Sequence, residues 1–149
     1  CCWEYRPWLP RWARGVHVFA NGATQRATGD AAANFTGYIP EKASWGFALI
    51  RERFNFRMNW SYQSKNRLGA QSGTGIEPGV YDWQSSRVFL DILGEYYFRK
   101  NLAVYTTLRN INDSPDDFSV AGPLTPPSAR LMSREYGGSL WTFGVKATF

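Results

Sequence analysis

Residues 53–63 read Arg53-Phe54-Asn55-Phe56-Arg57-Met58-Asn59-Trp60-Ser61-Tyr62-Gln63. Phe54, Phe56, Met58, Trp60 and Tyr62 fall on one parity, and Arg53, Asn55, Arg57, Asn59, Ser61 and Gln63 on the other. Successive side chains of a strand point to opposite faces, so the alternation predicts a strand with one large apolar face and one polar face. A tilted strand needs about 9–11 residues to cross a bilayer, and this run is of that length. Its apolar row ends in Trp60 and Tyr62, aromatics of the kind that form girdles at membrane–water interfaces. On this reading Phe54, Phe56, Met58 and Trp60 face lipid. Asn55, Arg57 and Asn59 face something wet, the lumen of a barrel.

The same alternation recurs on both sides. In Ala43–Ile50, Trp45, Phe47 and Leu49 oppose Ser44, Gly46 and Ala48. Arg51-Glu52 then has the length of a tight hairpin connection. Facing Ile50 with Arg53 sets Leu49 against Phe54, Phe47 against Phe56 and Trp45 against Met58, so the apolar faces coincide. Further upstream, Arg14–Thr24 alternates Val16, Val18 and Ala20 with His17, Phe19 and Asn21, and 25–41 reads as a loop ending at Pro40.

Downstream, Ser86–Phe98 carries Val88, Leu90, Ile92, Tyr96 and Phe98 on one row, with Arg87, Asp91 and Glu95 on the other. A three-residue turn, 99–101, leads into Asn101–Ile111, where Leu102, Val104 and Leu108 oppose Tyr105, Thr107 and Arg109. That turn pairs Phe98 with Leu102 and Ile92 with Leu108, and sets Asp91 opposite Arg109 on the inner wall. In the last stretch, Leu140–Phe149, Trp141, Phe143, Val145, Ala147 and Phe149 share the outer row. Residues 64–85 and 112–137, rich in Gly, Pro, Ser and Asp, read as long loops. The expectation is therefore all-β: six antiparallel strands in a meander, with short and long connections strictly alternating. Outer-membrane barrels show that asymmetry, with short periplasmic turns and long extracellular loops.

Composition agrees. Seven Trp, eight Tyr and ten Phe make 17% aromatics in 149 residues, yet the mean hydropathy is negative. A barrel wall alternates wet and greasy residues and looks polar on average. No run approaches the roughly 18 apolar residues of a spanning helix. The net charge is +5, but the basic residues are scattered and no nucleic-acid-binding signature is present, so nucleic acid is not expected as a partner. Adjacent Cys1 and Cys2 have neither zinc spacing nor easy disulfide geometry. Without an initiating Met or a signal peptide, the chain reads as a piece of a longer protein.

Each chemical motif has a plainer reading. His17 is the single histidine and has no spaced co-ligand. Asp113, Asp116 and Asp117 lack calcium-loop spacing and read as a solvated loop. Gly73-Thr74-Gly75 lacks the third glycine and following helix of a phosphate cradle. Asp91 and Glu95, four apart on one strand face, read as wall charges rather than an acid/base pair. No nucleophile elbow, triad order or zincin motif occurs. Catalysis, a cofactor and a metal are therefore not expected.

The chain's end resembles the C-terminus of bacterial outer-membrane barrels, which commonly close on an aromatic residue preceded by alternating hydrophobics and a glycine. Thr142, Gly144, Ala147 and Phe149 stand in those places, Ala147 where a larger residue is usual. A wider resemblance, over about 140 residues, is to TonB-dependent receptors. It is carried by Phe98-Arg99-Lys100-Asn101-Leu102-Ala103-Val104-Tyr105, by Leu108-Arg109-Asn110-Ile111-Asn112-Asp113 and by Leu9-Pro10-Arg11-Trp12-Ala13-Arg14-Gly15. Ala121-Gly122-Pro123-Leu124-Thr125-Pro126 and Trp141-Thr142-Phe143-Gly144-Val145-Lys146 also fit.

The resemblance implies the last six strands of a transmembrane barrel of 22 strands, its lumen plugged by a domain that precedes this stretch. It implies an outer-membrane location, with a periplasmic C-terminus and extracellular long loops. Asn55, Arg57, Asn59, Asp91, Glu95 and Arg109 would line the lumen, and Phe54, Phe56, Met58, Trp60 and Val145 would meet lipid. Gly144 and Phe149 would form the signal read by the barrel-assembly machinery. The implied partners are outer-membrane lipid, the plug, the TonB energy-coupling protein acting on that preceding part, and a scarce nutrient of siderophore, cobalamin or oligosaccharide class. Two other classes fit the strand pattern: a small complete barrel acting as a passive pore or membrane enzyme, and a soluble β-barrel holding a hydrophobic ligand.

Overall fold

The computed structural model describes residues 15–26, 28 and 36–148. In chain order its strands are β1 (Val16–Thr24), β2 (Glu41–Ile50), β3 (Phe54–Gln63), β4 (Asn66–Ala70), β5 (Tyr81–Gln84), β6 (Arg87–Arg99), β7 (Leu102–Arg109), β8 (Asp116–Ala121), β9 (Leu131–Glu135) and β10 (Leu140–Ala147). A 3-10 turn, Pro127–Ala129, precedes β9. No α-helix occurs among the described residues.

Two antiparallel sheets result. The main sheet has six strands in the order β1-β2-β3-β6-β7-β10, and a smaller one has four in the order β4-β5-β8-β9. The all-β antiparallel meander anticipated from alternation is thus present as the main sheet. It is open: β1 and β10 are its edges. Its strands run from 8 to 13 residues. Ten residues at about 3.4 Å each span about 34 Å, or about 24 Å of bilayer at a tilt of about 45°.

Two registers differ from the simplest hairpin reading. Ile50 faces Asn55, Leu49 faces Phe56, Phe47 faces Met58 and Trp45 faces Trp60. Arg51 and Phe54 exchange backbone hydrogen bonds (2.7 and 3.4 Å), so the two turn residues are Glu52-Arg53, not Arg51-Glu52. Moving the turn by one residue moves each partner by two, and the apolar faces still coincide; pattern alone accepts both registers. At the other hairpin Ile92 faces Leu108 as expected, but Arg99 rather than Phe98 faces Leu102, with a bulge between Tyr97 and Arg99. The extra residue shortens the turn to Lys100-Asn101. Phe98 packs edge-on against Tyr96, ring centroids 5.0 Å apart.

The larger correction concerns residues 64–85 and 112–137. They are not irregular loops: they contribute β4, β5, β8 and β9. These strands are only 4 to 6 residues long. Two of the three pairings contain a register shift, between Arg67 and Gly69 and between Phe118 and Ser119. Short irregular strands carry little period-two signal, so composition dominated their reading.

The turn after β7 has its own logic. Asn110 and Asp113 adopt positive φ (50° and 44°), a conformation in which Asn and Asp are enriched because their short side chains bond locally. Asn110 Oδ1 accepts from the Ser114 amide at 3.0 Å. Asn112 covers the bare edge of β6 beyond the end of β7. Its Oδ1 accepts from the Leu90 amide at 3.0 Å and its Nδ2 donates to the Val88 carbonyl at 2.8 Å. The Arg109-Asn110-Ile111-Asn112 stretch therefore terminates one strand while sealing its neighbour.

Candidate functional site

The main sheet is two-faced, and its faces follow from register. Cross-strand partners share a face, so the pairs Trp45–Trp60, Trp60–Leu90, Met58–Ile92, Ile92–Leu108 and Leu108–Trp141 trace one apolar surface across five strands. Val16 and Val18 extend it to β1, opposite Leu49 and Phe47. From the row of Ala43, Tyr62 and Val88 to that of Phe54, Tyr96 and Val104 no Asp, Glu, Lys, Arg or His stands at a paired position of this face; its paired charges stand at the two ends, Glu41 where β2 begins and Arg99, opposite Leu102, where β6 ends. Phe54, Phe56, Met58, Trp60 and Val145 all lie on it.

Nothing among the described residues covers this surface. Phe143 and Val145 remain 70% and 68% exposed, and Val18 74%. The rings of Phe47 and Phe54 each pack against Phe56 (centroids 5.8 and 6.2 Å), within the face. Ala48, Val80 and Ala103 are the only buried apolar residues described. A water-soluble domain of this size buries a sizeable core. Here the small sheet does not pack onto the apolar face, and the described residues form almost no core. Leaving a large apolar side chain in water forgoes about 1.5–3 kcal/mol each, so a cover for this face is worth on the order of tens of kcal/mol. Contiguous apolar surfaces of this kind mark contact with lipid or with another protein.

The opposite face is polar. Asn55, Arg57 and Asn59 of β3 stand against Glu95, Leu93 and Asp91 of β6, and Leu93 in turn against Thr107 of β7. Arg57, Asn59, Asp91, Thr107 and Arg109 border an open depression of about 340 Å³, with Phe19 at one side. Asn59 accepts from Ser44 at 3.0 Å and donates to Ser61 at 3.1 Å. Glu95 lies 3.8 Å from the Lys146 ammonium. Asp91 does share this surface with Arg109, but its carboxylate accepts from the Asn110 amide (3.0 Å) instead of forming an ion pair. Asn55, Arg57, Asn59, Asp91, Glu95 and Arg109 are thus on one surface, the reverse of the apolar one.

Gly144 lies on this polar side opposite Tyr105. A methyl group there would fall within the tyrosine ring, so the glycine clears space for Tyr105 to lie across the edge strand. At Gly46 a methyl group would meet the Met58 carbonyl first and the Phe19 ring next, so the neighbouring backbone as well as the ring requires the glycine. Phe149, Cys1 and Cys2 lie outside the described residues, as do residues 9–14 of the expected turn.

Sequence reasoning missed the joint between the sheets. Arg87, at the start of β6, pairs with Asp116 of β8. Asp116 also accepts from Gln84 Nε2 at 2.8 and 2.7 Å, and Arg87 reaches Gln63 at 3.4 Å. Across the hairpin, Asp117 holds Arg134 through two bonds of 2.6 and 2.7 Å. The Arg134 guanidinium keeps the Asp117 carboxyl below its usual range. Two of the three acids considered as a cation site are therefore already neutralised, and no group of metal-ligating side chains occurs among the described residues. The separations, 29 and 17 residues, gave no local signal. Protein-family models, curated proteins and solved structures yield no match to this chain.

Proposed function

We propose that this chain is the C-terminal part of the barrel of a bacterial outer-membrane receptor that takes up a scarce nutrient with energy delivered through TonB. The observation that supports this most is the uncovered apolar face, charged only at its two ends and backed by a polar one, on strands of 8 to 13 residues, close to the length that crosses a bilayer. In this reading the apolar face meets lipid, the polar face meets the plug and substrate path, and β4, β5, β8 and β9 form an extracellular rim. The edges β1 and β10 pair with the rest of the barrel, because open edges are not tolerated in lipid. The barrel-assembly machinery reads the end that includes Gly144 and Phe149. The nutrient is a siderophore, cobalamin or an oligosaccharide, and the chain carries no catalytic step.

Two measurements test this. In vesicles whose acyl chains carry bromine, Trp60 or Trp141 kept as the sole tryptophan should be strongly quenched. Absence of quenching together with a hydrophobic ligand bound in solution would favour the soluble-barrel reading. In cells, removing the protein that contains this chain should abolish uptake of one nutrient class, and a protonophore should do the same. Uptake that survives the protonophore would indicate a passive pore.

A further inference from the structure

The polar boundary of the apolar face has features that the transport reading does not use. A notch of about 260 Å³ opens where the two sheets meet, bordered by Tyr62, Ser85, Ser86, Asn112 and Ser114, with Val88 below it. Tyr62 and Val88 face each other on the apolar surface, so the notch lies on the same side, directly past the last apolar row. The hydroxyls of Ser85, Ser86 and Ser114 make no hydrogen bond among the described residues. The charged groups that border the notch are engaged elsewhere: Arg87 with Asp116, and Asp117 with Arg134.

Two cations with no carboxylate partner among the described residues lie over aromatic rings of β5, the strand that leads into the notch at Ser85. Lys65 lies over the Trp83 ring at 4.5 Å and Arg67 over the Tyr81 ring at 4.6 Å. Trp83 is two residues from Ser85, and Arg67 faces Trp83 across β4–β5. The outward side of the small sheet follows from its neighbours. Gln84 and Asp116 join Arg87 and Gln63 of the polar face, whereas Tyr81 and Trp83 have the opposite parity. The ring contacts hold both cations at that side. Two further carboxylates stand at this end of the wall, Glu41 and, between Asn112 and Ser114, Asp113, and no ion pair joins either to Lys65 or Arg67.

We infer that this boundary binds the phosphate group of an anionic lipid in the leaflet around the wall. The acyl chains lie along Val88, Tyr62 and the rows below, the phosphate is met by Lys65 and Arg67, and the headgroup hydroxyls by Ser86 and Ser114. The inference rests on the proposal that the apolar face meets lipid. It adds a selective lipid site to an otherwise non-selective surface, because phosphate accepts charge-assisted bonds that a zwitterionic headgroup partly satisfies itself.

The test refolds the whole protein that contains this chain, with Trp60 as its sole tryptophan, into phosphatidylcholine vesicles with and without phosphatidylglycerol, and measures partitioning into each. Bromine quenching of Trp60 in pure phosphatidylcholine reports whether the apolar face meets lipid at all, independently of charge. Wild type should prefer the anionic vesicles. Lys65→Ala with Arg67→Ala should reduce that preference about tenfold at low salt, and Ser86→Ala with Ser114→Ala by a smaller factor. Arg57→Ala with Arg109→Ala removes the same charge from the other face and should leave the preference within about twofold. Equal losses from both cation pairs overturn the site in favour of general electrostatic attraction. No loss from Lys65→Ala with Arg67→Ala overturns it outright. Abolition of the preference by inorganic phosphate at matched phosphate concentration and ionic strength assigns the cations to a free anion instead.

Discussion

The main sheet and the small sheet obey different rules although the same strands run from one into the other. In four of the five pairings of the main sheet, registers are unbroken over eight to ten pairs, and the fifth, β6–β7, bulges beside Arg99. Order there is imposed by side-chain parity: a slip by one residue would turn every apolar group to the polar side. In the small sheet, pairings are short and twice shifted. Order there is imposed by named bonds, Arg87–Asp116, Gln84–Asp116 and Asp117–Arg134. A wall specified by parity is insensitive to which apolar residue stands where, but intolerant of charge. A rim specified by ion pairs has the opposite tolerance.

The sharpest break of this contrast is a charge on the apolar face. Met58→Arg places a guanidinium near the middle of that face and should cost about 2–4 kcal/mol in lipid. Asn59→Arg, one residue away on the polar side, should cost little. Denaturant unfolding in lipid vesicles measures both, and equal losses would remove the distinction between the faces. The rim should break next. Arg87→Ala leaves the half-buried Asp116 with Gln84 alone, a loss of about 1.5–3 kcal/mol for a charge-assisted bond. Limited proteolysis should then cut within 64–85 and 112–137 while β3 and β6 stay protected. Adding Asp116→Ala should recover part of the loss, and a double-mutant cycle measures the coupling.

This contrast also explains what the sequence disclosed. The faces were legible because period-two alternation in residues such as 54–62 survives any register shift of two. The turn at Glu52-Arg53 was not, because Leu49 finds an aromatic partner under either register: Phe54 or Phe56. The Phe98 bulge was invisible for a related reason, since Ile92–Leu108 is reached with or without it. The small sheet lay beyond reach. Asp116-Asp117-Phe118-Ser119 looks like a solvated loop until Arg87 and Arg134, far away in sequence, are brought to its two faces. The polar row Asn55, Arg57, Asn59, Asp91, Glu95 and Arg109 was legible as a face, but the use of Asp91 by the Asn110 amide was not.

A smaller effect is expected at Gly144. Alanine there meets the ring of Tyr105, but a ring that lies across an edge strand can swing aside, so the cost should be about 1 kcal/mol. Gly144→Ala in a Tyr105→Ala background should cost measurably less. If both substitutions act independently, the glycine serves something other than space for the ring, and its place in an assembly signal gains weight. Assembly yield in cells, set beside stability in detergent, separates the two roles.

The smallest expected effect concerns pH, and it separates wall from rim without altering packing. The Asp117 carboxyl is held below its usual range chiefly by its hydrogen bonds to Arg134, against an opposing desolvation, with that residue's charge adding a lesser lowering. Arg134 is raised in turn by Asp117 and stays protonated throughout. A carboxyl lowered by folding stabilises the fold at pH values above its unfolded pKa, and that contribution is lost as pH falls through the folded pKa. The β8–β9 hairpin should therefore hold from neutral pH into the ordinary carboxylate range and loosen only below it. Amide exchange of Phe118, Ser119 and Ser133 reads the opening. Asp117→Asn should remove the acid limb, and high salt should shrink it, because exposed pairs are screened. Amides of β3 opposite β6, lying behind an uncharged face, should exchange at a rate that this substitution does not alter. A parallel change in both sheets would mean that wall and rim unfold as one unit.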